Sequence, residues 1–170
     1  MLKFFLTLFM SISTPVFADS VVENYMPDAQ KVGEGRLTFL AWDLYDATLY
    51  APKGQWKSVG PFALKLSYFR EVSGTDIADQ SMEEIRNQGF DNEIKLAAWH
   101  AQLKKIFPNV AKGSNLIGIY KHTGETIFYD QDNKIGQINN TEFGRLFFNI
   151  WLGEKTNVPH LRKKLLGRSS

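Results

Sequence analysis

The stretch Leu37-Thr-Phe-Leu-Ala-Trp-Asp-Leu-Tyr-Asp-Ala-Thr-Leu-Tyr50 decides the fold. Leu37, Phe39 and Ala41 alternate with Thr38, Leu40 and Trp42, and Leu44 to Tyr50 continues the period of two. Strands put successive side chains on opposite faces, so this period predicts two strands joined tightly near Trp42–Asp43. Ala51-Pro-Lys-Gly54 follows as a turn, with proline and glycine where turns favour them. Phe62 to Arg70 alternates again, with Phe62, Leu64, Leu66 and Tyr68 on one side. Upstream, residues 19–35 read as an exposed lead-in.

Downstream the period changes. A helix is expected from about Asp76 to Gln88, with Thr75 as N-cap and Gly89 as stop. Ile77, Ser81 and Ile85 share one face of it. A second helix is expected from Asn92 to Phe107, carrying Leu96, Trp99, Leu103 and Ile106 as an apolar stripe, and Pro108 ends it. Leu116–Lys121, Thr126–Asp130 and Lys134–Ile138 read as short strands linked by two hairpin loops. Thr141 is then expected to cap a helix whose Phe143, Leu146, Phe147, Ile150 and Trp151 fit one helical face, and a last helix spans about Val158 to Leu166. Hairpin-linked strands make an antiparallel sheet. Helices with one greasy stripe each must bury it on that sheet. The expected class is therefore α+β, an antiparallel sheet with helices packed on one face, in one domain from residue 19 to 170.

Residues 1–18 stand apart. Lys3, an apolar run from Phe4 to Met10, and Val16 and Ala18 before a cleavage point have the pattern of a signal peptide. Cleavage after Ala18 and export to a periplasm are expected, with no membrane-spanning segment in the mature chain. The 170 residues include no cysteine, which excludes thiol catalysis and cysteine-ligated metal. A balance of 20 Lys+Arg against 18 Asp+Glu argues against nucleic acid as the main partner. His100, His122 and His160 match no metal spacing, so no metal or other cofactor is expected. No serine-hydrolase elbow is present, and Gly33-Glu34-Gly35 opens a strand, which makes it a poor dinucleotide fingerprint.

Several segments together carry a resemblance. They are Gly33-Glu34-Gly35-Arg36 before the alternating strand, Leu44 to Tyr50, Leu66-Ser67-Tyr68-Phe69-Arg70 before Ser73-Gly74, Phe107-Pro108-Asn109-Val110-Ala111-Lys112-Gly113, and Ile138-Asn139-Asn140 into Phe143 to Gly153. From about residue 30 to 166 the chain resembles the chalcone isomerase superfamily, and is most similar to its bacterial exported branch, the chalcone isomerase-like proteins. The resemblance implies an open-faced β-sandwich. It also implies one of two activities, an intramolecular lyase acting on a chalcone-like substrate or non-catalytic fatty-acid binding.

In the isomerases an arginine and a threonine of the hairpin work with a tyrosine and an asparagine of the first helix. Those places map here onto Arg36, Tyr45, Ile77 and Glu84. Two polar groups of the catalytic set are thereby missing and a carboxylate is added. The fatty-acid-binding members use an arginine and a tyrosine of this hairpin to hold a lipid carboxylate, and Arg36 and Tyr45 fit those places. The expected function is therefore non-catalytic binding of a small amphipathic anion, such as a fatty acid, at Arg36 and Tyr45. Two other readings stay open: the isomerase, and an interaction module with a closed cleft. On the residues alone, Arg36 fits equally well in an ion pair with Glu34, Asp43 or Asp46, and Tyr45 in a half-buried core position.

Overall fold

The structure, a computed structural model, describes residues 19–168. The expected signal peptide, residues 1–18, lies outside them. Six strands form one antiparallel sheet in sequence order. They are β1 (Ala29–Phe39), β2 (Trp42–Pro52), β3 (Phe62–Tyr68), β4 (Asn115–Tyr120), β5 (Thr126–Asp130) and β6 (Asn133–Ile138). The helices are α1 (Ser20–Tyr25), α2 (Gly74–Asn87), α3 (Glu93–Ile106), α4 (Thr141–Leu152) and α5 (Pro159–Leu165).

The α+β layer is as the alternation required. One face of the sheet carries Ala47, Leu49, Leu64, Leu66, Leu116 and Phe128 in a single apolar core with residues of α2 to α5. Helix α4 buries a wide apolar face, with Phe143 and Phe148 fully buried at its heart, and turns Glu142, Arg145 and Asn149 away from it. Full burial of such a ring contributes about 1.5–3 kcal/mol.

Residues 19–35 are not an exposed lead-in. Ser20–Tyr25 forms α1, and Val21, Val22, Met26 and Ala29 pack on the other sheet face against Tyr50, Ala63, Ile117, Ile119 and Ile127. The reason lies in the strands themselves. Ala63, Ile117, Ile119 and Ile127 are apolar on the side facing away from α2–α5, so that side also needs cover.

Two smaller differences concern ends. The β1–β2 turn falls at Leu40–Ala41, with Phe39 paired to Trp42, two residues before the expected join. Leu40 and Ala41 both have positive φ, 47° and 66°. Such a conformation costs side-chain-bearing residues about 1–2 kcal/mol each, so the sequence gives no turn signal there. The caps of α2 and α4 are Ser73 and Asn140, upstream of Thr75 and Thr141. Ser73 Oγ accepts from the Asp76 N–H at 3.0 Å and Asn140 Oδ1 from the Phe143 N–H at 2.8 Å. Each lies three residues before its donor, where a cap side chain reaches.

Gly33 and Gly35 let α5 close onto β1. A Cβ at Gly33 would lie 2.1 Å from the Lys164 carbonyl oxygen, and one at Gly35 would lie 2.8 Å from Leu161. These glycines are a helix-docking device.

Candidate ligand-binding site

A cavity of about 520 Å³ lies between the sheet and the helices. The sheet supplies Leu37, Leu64, Leu66, Leu116 and Phe128, and Phe107, Phe147 and Phe148 add aromatic walls. Gly118 makes room for one of these, because a Cβ there would meet the Phe148 ring at 3.1 Å. On α2, Ile77, Gln80, Ser81 and Glu84 follow helical spacing and turn one face to the cavity, with Asp76 beside them. Asn157 and Val158 close the far side, and exposed Phe39 stands at the rim.

The polar groups of the cavity are few and particular. Tyr45 is 7% exposed, and its hydroxyl oxygen accepts from Trp151 Nε1 at 2.8 Å. Its own O–H donates to no protein acceptor among the described residues. Tyr68, 5% exposed, meets the Tyr45 ring edge-to-face at 5.5 Å, and its hydroxyl likewise has no protein partner there. Burial pushes both phenols above their ordinary range. Glu84 adds to this at Tyr45 and the neighbouring Tyr45 adds to it at Tyr68. Both stay neutral donors at physiological pH. Glu84 is held at the rim by Gln80 Nε2 at 2.9 Å and by Asn157 Nδ2 at 2.8 Å. The Asn157 amide ties α2 to the loop before α5. Ser81 donates its hydroxyl back to the Ile77 carbonyl at 2.7 Å, so it offers little to a ligand.

Arg36 is elsewhere. Its Nε and Nη2 donate to the two oxygens of Asp46 at 2.7 and 3.0 Å, and Nη1 donates to Asp43 at 2.7 Å. The guanidinium also lies 4.5 Å over the Phe69 ring. Asp46 first and Asp43 second push its pKa further up. Asp43 is held below the usual carboxylate range, by the Thr38 hydroxyl first and by Arg36 second. Arg36 pairs with Asp46 across the strands, whereas the next pair, Leu37 with Tyr45, lines the cavity. Arg36 and Tyr45 thus project from opposite faces of the sheet and form no joint site. Among the described residues, the cavity wall contains no lysine or arginine.

The profile of the chalcone isomerase-like family matches residues 32–167. The chain belongs to the chalcone isomerase-like family. Its fold is also that of the Arabidopsis thaliana fatty-acid binding protein AtFAP1. The two align with a TM-score of 0.63 and 14% sequence identity, over 82% of this chain and 87% of that one. At that identity the likeness is one of fold. No curated protein matches the chain.

For this chalcone isomerase-like chain, the four family site places are now located. Tyr45, Ile77 and Glu84 reach the cavity and Arg36 does not. Sequence reasoning missed Tyr68 and Trp151 as polar groups of the site. Tyr68 was legible as an inward residue of β3, and Trp151 as part of the α4 stripe. Their meeting with Tyr45 depends on how α4 crosses the sheet.

Proposed function

We propose that the protein is an exported, non-catalytic binding protein for a small amphipathic lipid, such as a fatty acid. The lipid tail lies along the aromatic and aliphatic walls, and the polar end meets Tyr45. The observation that carries this reading is an apolar cavity of about 520 Å³ with phenol hydrogens that no acceptor among the described residues takes up. Binding sites for small organic molecules fall in this size range, roughly 300–1,000 Å³. A cavity of this size also argues against a closed-cleft interaction module. Each methylene transferred from water to such walls contributes about 0.8 kcal/mol. The fatty-acid-binding description of the structural neighbour AtFAP1 points the same way.

The isomerase reading has less support. Ile77, a hydrocarbon, lines the cavity where that chemistry places a tyrosine, and Arg36 is bound to two carboxylates of its own chain. Export rests on residues 1–18, and no described helix is long and apolar enough to cross a membrane. The experiment is native mass spectrometry of the purified protein, together with melting curves against added fatty acid and alcohol. Copurified lipid and a lipid-dependent rise in melting temperature are expected. A clean protein with no such rise for any lipid overturns the reading. N-terminal sequencing of the exported form is expected to begin at Asp19.

A further inference from the structure

We infer that the cavity selects an uncharged, hydrogen-bond-accepting head group, so that a fatty acid enters as the protonated acid and an alcohol or ester of the same chain length binds more tightly than a carboxylate. This rests on the lipid-binding reading above and specifies the ligand class of the same site.

Three observations on the cavity wall agree. First, the two groups able to greet a head deep in the cavity are neutral phenols. Tyr45 Oη already accepts the Trp151 N–H, which leaves it one undonated O–H, and Tyr68 adds a second hydroxyl with no partner among the described residues. A phenol offers one donor, which suits a carbonyl, ester or hydroxyl oxygen. Second, no lysine or arginine of the described residues lines the cavity, so an ionised carboxylate would be buried without a counter-charge. Burying an unpaired charge is costly enough that the group takes up a proton instead. Third, the ionisable groups of α2 that face the cavity are both acids, Asp76 and Glu84. They repel an anion at the entrance and do nothing against a neutral head. Around them the other polar neighbours are Gln80 and Ser81 of α2, Asn157 of the α4–α5 loop, and Trp151 of α4, none of them cationic.

The arginine that could have supplied the positive charge lies on the far side of the sheet, with three short bonds to Asp43 and Asp46. Moving it into the cavity would strip two carboxylates of their partner.

The test compares dodecanol, methyl dodecanoate, dodecanoate and dodecylamine as probes at pH 8, by fluorescence displacement and calorimetry on the mature protein. The alcohol and the ester are expected to bind about tenfold or more tightly than dodecanoate. Glu84→Gln is expected to narrow that gap by strengthening dodecanoate alone. Tyr68→Phe, which breaks no protein hydrogen bond, is expected to weaken the alcohol several-fold and leave the melting temperature nearly unchanged. Tyr45→Phe is read beside it, with its fold checked by circular dichroism.

Dodecanoate binding as tightly as the alcohol at pH 8, or dodecylamine outcompeting every other probe, overturns the inference while leaving lipid binding intact. Binding of no probe at all overturns both.

Discussion

The two faces of the β1–β2 hairpin differ in how their polar groups are engaged. On the outer face Arg36 is fixed by Asp43, Asp46 and the Phe69 ring, and each of its three guanidinium nitrogens donates to a carboxylate. On the inner face Tyr45, with Tyr68 of β3 beside it, is buried in hydrocarbon, and neither hydroxyl hydrogen has an acceptor among the described residues. The charged face completes itself, and the uncharged face does not. A binding function is therefore read from the groups the fold leaves unengaged, and the most conspicuous charge on the hairpin belongs to its architecture.

The largest test of this contrast removes wall from the inner face. Phe148 packs against Phe62, Tyr120 and Phe147. Phe148→Ala is expected to cost about 3–5 kcal/mol in urea unfolding. Loss of under 1 kcal/mol would mean the inner face is loosely filled, a result at odds with a shaped cavity.

Next comes the phenol that joins sheet to helix. Tyr45→Phe leaves Trp151 Nε1 buried without its acceptor, so a loss of about 1–3 kcal/mol is expected in the same assay. An unchanged midpoint would place that indole N–H in contact with water.

Phenols buried on both faces of the sheet make stability depend on pH. Burial holds the Tyr45 and Tyr68 hydroxyls protonated well above the ordinary phenol range, and burial raises Tyr50 and Tyr129 to about 12. The folded chain then keeps protons that the unfolded chain gives up near pH 10. Stability from these groups is complete below about pH 10 and falls as pH rises toward their folded values. Melting temperature is expected to decline steeply above that point, and less steeply in Tyr45→Phe/Tyr68→Phe. A flat profile to pH 12 would show the phenols to be exposed to solvent.

The smallest effect belongs to the outer face. Arg36→Gln is expected to lower the melting temperature slightly, because the exposed ion pairs are screened by water. It should also raise the Asp43 carboxyl toward the ordinary range, readable by carbon NMR titration, while probe affinities stay unchanged. A loss of lipid affinity in this variant would return Arg36 to the binding site.

Much of this was legible beforehand. The alternation in Leu37–Tyr50, the apolar stripe of α4 and the hairpin loops fix strands, helices and layer without reference to coordinates. The placement of Arg36 was not. Thr38 pairs with Asp43 and Leu37 with Tyr45, so Leu44 is an extra residue, a bulge. It brings Asp43 and Asp46, three apart on one strand, to the same side to grip one guanidinium. A period of two puts residues three apart on opposite faces, and nothing in the hydrophobic pattern marks where that period slips. Helix α1 escaped for a related reason. Six residues with two buried valines are too short for a periodic signal.

The most direct measurement follows the head group itself. Carboxyl-labelled dodecanoic acid, bound to the purified protein, can be titrated by carbon-13 NMR. A bound carboxyl that stays protonated well above the range in which free carboxylic acids ionise is the expected result. A bound carboxyl that titrates at or below that ordinary range would show that the chain supplies a cation to its ligand, and would contradict this account.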